Sequence, residues 1–305
     1  NKKKVLGKLK YMIENIKDYT PLREVEKKLL EYLEELHYPP VMSEGMKYAL
    51  LNGGKRLRPI LHYMTLELLG VEISKGDAVA SAIEMIHTYS LVHDDLPALD
   101  NDDYRRGKLT THKVYGEANG ILVGDALLTY AFYIVATKSK EIEADKLVKI
   151  IELVSKYAGV QGMIGGQVVD IESEGKIVDL PTLQYIHTHK TGMMIRLPIE
   201  AGAVLAGVEG SKKEALIRYA DLIGLAFQIK DDLLDIEGTF EDIGKPVGSD
   251  LKLEKSTYPA IFGIEKTKVM LDEKISEAKK IIVENFPENN KYFLELADYI
   301  GNRKK

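Results

Sequence analysis

Apolar residues recur at helical spacing along almost the whole chain, and this periodicity restricts the fold more than any other feature. Thr20-Pro21 reads as a helix start with proline in the first turn. Val25, Leu29, Leu33 and Leu36 continue the helix, and Pro39-Pro40 predicts its end. A second helix is expected from Ser43 to Asn52-Gly53-Gly54, and a third from about Pro59 to Leu69, before Gly70. Further helical stretches are expected over about 77–96, 117–137, 145–170, 182–207, 212–237, 266–285 and 290–302. No alternating strand pattern and no Asn-Gly hairpin signal between such runs accompanies them. No Ser- or Pro-rich linker and no fixed-period repeat divides the 305 residues. The expected architecture is therefore all-α, a single domain over 1–305 built from about ten or more helices. Ile121 to Ala136 is apolar nearly all round, which suits either a central helix or one at a subunit interface.

Composition narrows the function. At 45% hydrophobic the chain can bury a sizeable core. With 42 Lys and Arg against 47 Asp and Glu, the net charge of -5 argues against a polyanion-binding surface, so no nucleic-acid partner is expected. The absence of cysteine excludes disulfides, zinc-thiolate sites and iron–sulfur clusters, and is compatible with a cytoplasmic location. The chain opens on Asn1, so a trimmed terminus is expected. Leu6, Leu9, Ile13 and Ile16 among lysines predict an amphipathic surface helix over 1–18 rather than a signal peptide. No apolar run approaches the roughly 18 to 20 residues needed to span a bilayer, and Ile121 to Ala136 carries Asp125, so no stable membrane insertion is expected.

Two aspartate clusters stand out. The first is Asp94-Asp95-Leu-Pro-Ala-Leu-Asp100, followed by Asp102 and Asp103. Glu84, His87, Leu91 and Asp94 share one helix face, and Pro97 ends or bends that helix. Asp94 and Asp95 thus fall in a last turn, where the helix dipole favours cations. The second cluster is Asp231-Asp232-Leu-Leu-Asp235. Asp231 and Asp235 face the same way, and Gln228 lies one turn earlier. Like charges at this spacing cost only roughly 0.2–0.5 kcal/mol in an isolated helix, so one acidic triplet reads as a solvated face. Two such clusters, each in an otherwise apolar helix, do not. The all-oxygen ligand set suits Mg2+, which binds through one or two carboxylates plus phosphate oxygens. A phosphorylated substrate between the clusters follows. An EF-hand does not, because Asp100-Asn-Asp-Asp-Tyr-Arg lacks the loop glycine and the closing Glu.

Cations are placed to match. Gly53-Gly54-Lys55-Arg56-Leu57-Arg58-Pro59 is a glycine turn feeding a helix start, with backbone N–H groups and three cations for an anion. It is not a P-loop, since the spacing differs and no strand precedes it. Arg105-Arg106-Gly107 follows the first aspartate cluster. Lys190-Thr191-Gly192 lies in a helical stretch that the glycine could kink. Lys245 and Lys255 follow the second cluster in a loop with Gly244, Pro246 and Gly248. Each basic pair taken alone is equally a surface salt-bridge partner, and His87 equally a core histidine satisfied by Glu84. There is no Gly-x-Ser-x-Gly, no His-Glu-x-x-His and no Cys–His dyad. The chemistry left is metal-assisted departure of a phosphate group with charge stabilisation.

Seven segments together carry a family resemblance: GGKRLRP (53–59), HTYSLVHDDLPALDNDDYRRGK (87–108), GDALL (124–128), GGQVVD (165–170), HKTG (189–192), FQIKDDLLD (227–235) and GKPVGSDLKLEKSTYP (244–259). In this order they resemble the trans-prenyl diphosphate synthase family, in particular its bacterial farnesyl-type members. The resemblance covers essentially the whole chain. It implies a helical bundle around a deep central cavity (the isoprenoid synthase fold), a homodimer, and Mg2+-dependent head-to-tail condensation of isopentenyl diphosphate with allylic diphosphates. It implies about three Mg2+ ions on Asp94, Asp100, Asp231 and Asp235, with Asp95, Asp170 and Gln167 in support. It assigns Lys55, Arg58, His87 and Arg106 to isopentenyl diphosphate, and Arg105, Lys190, Lys245 and Lys255 to the allylic diphosphate. Lys190, Thr191 and Gln228 would stabilise the allylic cation, and Arg303 would close over the homoallylic site. Released diphosphate would accept the proton. Tyr89, five residues before Asp94 and roughly 7.5 Å along a helix, would floor the cavity with Ser90 beside it, giving a C15 product. A geranylgeranyl-forming enzyme, a class I terpene cyclase and a non-catalytic subunit of a heteromeric synthase are the competing expectations.

Overall fold

The computed structural model describes residues 20–139, 141–237 and 256–303. The amphipathic helix expected over 1–18 lies outside them, as do Lys245 and Lys255. The chain divides into two compact units, one ending at Ile151 and the other starting at Glu152. The boundary falls inside a helix, Ala144–Ala158, not at a Gly- or Pro-rich linker.

In the amino-terminal unit, α1 (Thr20–Glu34) buries Val25, Leu29 and Leu33 completely. It stops short of Leu36, whose N–H closes a tighter turn onto the Leu33 carbonyl. Pro39 holds an extended backbone, and Pro40 occupies the first turn of α2 (Pro40–Leu51). The double proline therefore opens the second helix instead of only ending the first, because an N-terminal turn needs no N–H from it. Next come α3 (Leu57–Leu68) and, after a short 3-10 turn over Ile73–Gly76, α4 (Asp77–Asp94).

Helix α4 is the central element of this unit. Val79, Ile83, Met85 and Ile86 are fully buried on its different sides, and Asp95 forms its C-cap. A two-stranded antiparallel hairpin follows, Tyr104–Arg105 (β1) with Lys108–Leu109 (β2), which sequence patterning does not reveal. Its turn residues, Arg106 and Gly107, both have positive φ (53° and 77°), the geometry that matches strand twist in a two-residue hairpin.

After a short α5 (Thr111–Tyr115), α6 spans Glu117–Lys138. Its buried stripe is Gly120, Val123, Gly124, Leu127, Ala131, Ile134 and Val135, and it packs mainly on α4. Ile121, Leu122 and Tyr133 are exposed, so α6 is not a central helix. At 22 residues, with a window of mean hydropathy 1.6, α6 is long and apolar enough to cross a membrane by length and composition. That differs from the expectation drawn from the shorter apolar run, because the helix extends beyond it at both ends.

The stretch expected as one helix over 145–170 is two: α7 (Ala144–Ala158) and α8 (Met163–Ser173), parted by a turn containing Gly159 and Gly162. The stretch over 182–207 is likewise divided. It comprises α9 (Leu180–Ile186), a π turn over His187–Gly192, and α10 (Met193–Leu205). The long α11 (Gly210–Glu237) packs on α10 and on α13 (Ile264–Asn285). Short α12 (Tyr258–Phe262) and terminal α14 (Lys291–Asn302) complete the unit.

Tyr219 of α11 is fully buried, and its hydroxyl donates to the Phe293 carbonyl of α14 at 2.6 Å. Tyr219→Phe removes this bond while the Phe293 carbonyl keeps its place in the α14 ladder, and it is expected to destabilise the fold by about 0.5–1.5 kcal/mol, read as a lowered urea midpoint at unchanged slope.

Candidate functional site

In the amino-terminal unit the site is assembled around α4. Arg56 is almost fully buried in a left-handed conformation (φ 51°), and its Nη1 lies 2.9 Å from Glu84 Oε1 of α4. Its Nη2 donates to the Leu50 carbonyl at 2.6 Å. Glu84 is thus the partner of Arg56 and not of His87. One turn further along α4, His87 Nε2 accepts from Arg58 Nη1 at 3.2 Å. Burial pushes the Arg58 guanidinium down to about 10. Burial, with Arg58, Arg106, Arg105 and Arg56 nearby, holds His87 well below the usual imidazole range. His87 is therefore neutral at pH 7, with Nδ1 carrying the proton.

Arg106, at the hairpin turn, donates to the Gly53 carbonyl. A Cβ on Gly54 would lie 2.5 Å from the Arg106 guanidinium, so the double glycine makes room for this cation. Arg58, His87 and Arg106 are accordingly drawn into one region of the unit, and Lys55 is exposed on the chain between Gly54 and Arg56. Asp94 is half-buried and Asp100 exposed, and the Asp100 N–H binds the Asp94 carbonyl at 2.8 Å. Asp95, expected in support of the Mg2+ ligands, is buried under a forked contact from Arg105, with Nη2–Oδ1 at 2.6 Å and Nε–Oδ2 at 2.8 Å. The hairpin explains this, since it points Arg105 back at the α4 C-cap. Tyr89 is buried at 6% exposure, and Ser90 donates to the His87 carbonyl at 2.7 Å.

In the carboxy-terminal unit, one cavity is lined by Asp170, His187, Lys190, Thr191, Gln228 and Asp232, among others. The π turn presents Lys190 and Thr191 there. Gly166 permits it, because a Cβ at 166 would lie 2.2 Å from the Lys190 backbone nitrogen. Lys190 Nζ meets Asp170 at 2.6 Å, and Gln167 lies one turn before Asp170 on α8. Gln228 Nε2 donates to Asp232 at 3.1 Å, and Asp232 also accepts the Tyr258 N–H at 2.9 Å.

Sequence reasoning passed over Asp232 and weighted Asp231 and Asp235, although the burial of Asp232 makes it the anchor of this face. Asp235 is buried as well, whereas the Asp231 side chain keeps 42% exposure. Arg303 lies over the Phe227 ring at 3.9 Å from its centroid and contacts Asp231. His187, also unanticipated, stacks on Tyr258, and burial lowers it to about 4 against a small opposing effect of Asp170. Among the described residues no three His, Asp or Glu side chains converge on one point as a metal cage. Asp94 is half-buried and Asp100 exposed in the amino-terminal unit, and Asp231 is partly exposed in the carboxy-terminal unit; carboxylate oxygens are the donor type that suits Mg2+.

The family profile described as Polyprenyl synthetase matches residues 39–292. The farnesyl diphosphate synthase of Geobacillus stearothermophilus is 49% identical over 84% of this chain and 86% of its own. The geranylgeranyl diphosphate synthase of Cyanophora paradoxa is 46% identical over 87% and 88%. The crystal structure of a geranyltransferase from Legionella pneumophila superposes with a TM-score of 0.84 at 32% identity, covering 97% of this chain and 98% of that one. Fold and relatives together define an all-α prenyltransferase. The chain belongs to the polyprenyl synthetase family, whose chemistry is Mg2+-dependent.

Two outcomes are expected. Glu84→Gln leaves the buried Arg56 charge with only the half-exposed Glu26, 3.5 Å from its Nε, and is expected to lower stability by about 3 kcal/mol, seen in the urea midpoint. His187 has its ordinary value of 6.5 lowered to about 4 in the fold, and His87 is shifted the same way. Below 6.5 the unfolded chain takes up protons that the folded chain does not. Stability is therefore lost as pH falls from 6.5 towards 4, by on the order of 3 kcal/mol for His187. His187→Asn is expected to flatten that dependence in urea titrations run across the window.

Proposed function

We propose that this chain condenses isopentenyl diphosphate head to tail with dimethylallyl and then geranyl diphosphate, forming farnesyl diphosphate. The observation that carries this is the grouping of Lys190, Thr191 and Gln228 around one cavity with Asp170 and Asp232. Asp232 takes the Gln228 NH2 group, so the amide carbonyl oxygen is the end available to a developing positive charge. The Thr191 hydroxyl adds a second dipole, and Lys190 a charge for the departing diphosphate. Such preorganised dipoles stabilise a cation without rearranging during the reaction.

Asp94, Asp100, Asp231 and Asp235 serve as ligands for about three Mg2+ ions, with Asp95, Asp170 and Gln167 in support. Bound Mg2+ would neutralise charge on the leaving diphosphate. Lys55, Arg58, His87 and Arg106 hold isopentenyl diphosphate, the neutral His87 donating from Nδ1. Arg105, Lys190, Lys245 and Lys255 hold the allylic diphosphate. The family match runs without interruption through both units, which supports their acting as one domain over 1–305. Exposed Ile121, Leu122 and Tyr133 on α6 support a homodimer, which a sedimentation measurement would test. A cytoplasmic setting accords with diphosphate substrates.

Relatives of both product lengths are similarly identical to the chain, so geranylgeranyl diphosphate is the second reading. Buried Tyr89, five residues before Asp94, favours the shorter product. Purified chain given dimethylallyl and isopentenyl diphosphates is expected to form C15 product only with Mg2+. Tyr89→Ala is expected to shift the dephosphorylated products to C20 or longer. No turnover by the purified chain would favour a non-catalytic subunit instead.

A further inference from the structure

We infer that His93 and Gly124 determine product length by clamping the Tyr89 ring, an inference that rests on Tyr89 as the floor of the elongation pocket. His93 follows Tyr89 by one turn of α4, and the two rings meet edge to face with centroids 5.6 Å apart at 87°. The imidazole is held from the other side by α6. His93 Nε2 lies 2.9 Å from the Ile121 carbonyl oxygen, to which it donates, and 3.8 Å from Asp125 Oδ1.

Residue 124 must be glycine for this placement. A Cβ there would lie 2.1 Å from His93 Nε2 and 2.2 Å from its Cδ2, so the imidazole rests directly on the α6 backbone. Between a hydrogen bond, a bare backbone and the Tyr89 ring, His93 has a single position. Tyr89 in turn has its ring edge fixed by a side chain that cannot retreat. His93 and Gly124 act through Tyr89, so they are specificity-determining positions rather than catalytic ones.

The Gly124→Ala methyl group occupies the space of the imidazole. The ring must swing away, breaking the Ile121 contact and removing the wall behind Tyr89. His93→Ala removes the same wall without adding volume. Both are expected to raise the C20 to C15 product ratio roughly fivefold or more with Tyr89 intact, the factor matching loss of one aromatic contact. The Gly124→Ala, Tyr89→Ala double variant is expected to match Tyr89→Ala alone. A purely structural role would change yield or stability and leave the ratio unmoved.

The test is chromatography of dephosphorylated products from purified enzyme with Mg2+, dimethylallyl and isopentenyl diphosphates. The inference is overturned if Gly124→Ala and His93→Ala keep the wild-type ratio while Tyr89→Ala lengthens the product. If Tyr89→Ala itself still yields C15, Tyr89 is not the floor and the inference falls with it. Should Gly124→Ala fail to fold, His93→Asn, which adds no volume at 124, carries the same test.

Discussion

The buried ion pair between Arg56 and Glu84 is the contact on which the amino-terminal unit's site depends. Taking two charges out of water costs several kcal/mol each, and mutual attraction recovers this only when geometry and further hydrogen bonds are good. Here Arg56 has both, since it reaches Glu84 with one nitrogen and the Leu50 carbonyl with another. The gain is registration more than stability. The pair ties the glycine turn to α4, so that Arg58, two residues on, meets His87, three residues beyond Glu84. A left-handed backbone at Arg56 is unfavourable for a residue with a side chain, and the pair holds it there.

The same rule recurs in the carboxy-terminal unit, where three carboxylates in or beside the cavity are each matched by a donor from another element. Asp170 of α8 faces Lys190 on the π turn, Asp232 of α11 takes the α12 N–H of Tyr258, and Asp231 faces Arg303 beyond α14. A π turn widens the helix by one residue and so re-aims the side chains it carries. It is tolerated at His187–Gly192 because Gly166 on α8 leaves room for the backbone to approach.

Much of this organisation was legible in the sequence because it is local. Helix spans follow from the spacing of apolar residues, the place of Asp94 in a last turn follows from Pro97, and the disturbance at Lys190-Thr191-Gly192 follows from its glycine. What was not legible depends on residues far apart in the chain. Nothing near Glu84 marks Arg56, 28 residues earlier, as its partner. The Arg105–Asp95 fork requires the hairpin, whose strands have two residues each and whose turn begins with arginine, where Asn or Asp would have signalled it. Helical spacing on α11 drew weight to Asp231 and Asp235, whereas the anchoring role of Asp232 comes from α12. Pro39-Pro40 reads equally as a stop or a start, and only packing decided.

Helix α4 explains why these contacts bear on chemistry at all. It is buried on nearly every side, so it cannot shift without opening the core of its unit. His87, Tyr89, Asp94 and the C-cap Asp95 are therefore held at separations set by the helix rise of about 1.5 Å per residue. An allylic chain anchored near Asp94 and running back along this helix would meet whatever side chain stands five residues earlier. The length of product then becomes a matter of covalent geometry and of how firmly that one side chain is held. If Tyr89 floors that path as proposed, the contacts that hold its ring would matter beside its bulk, since a ring free to rotate aside sets no limit on what can grow past it.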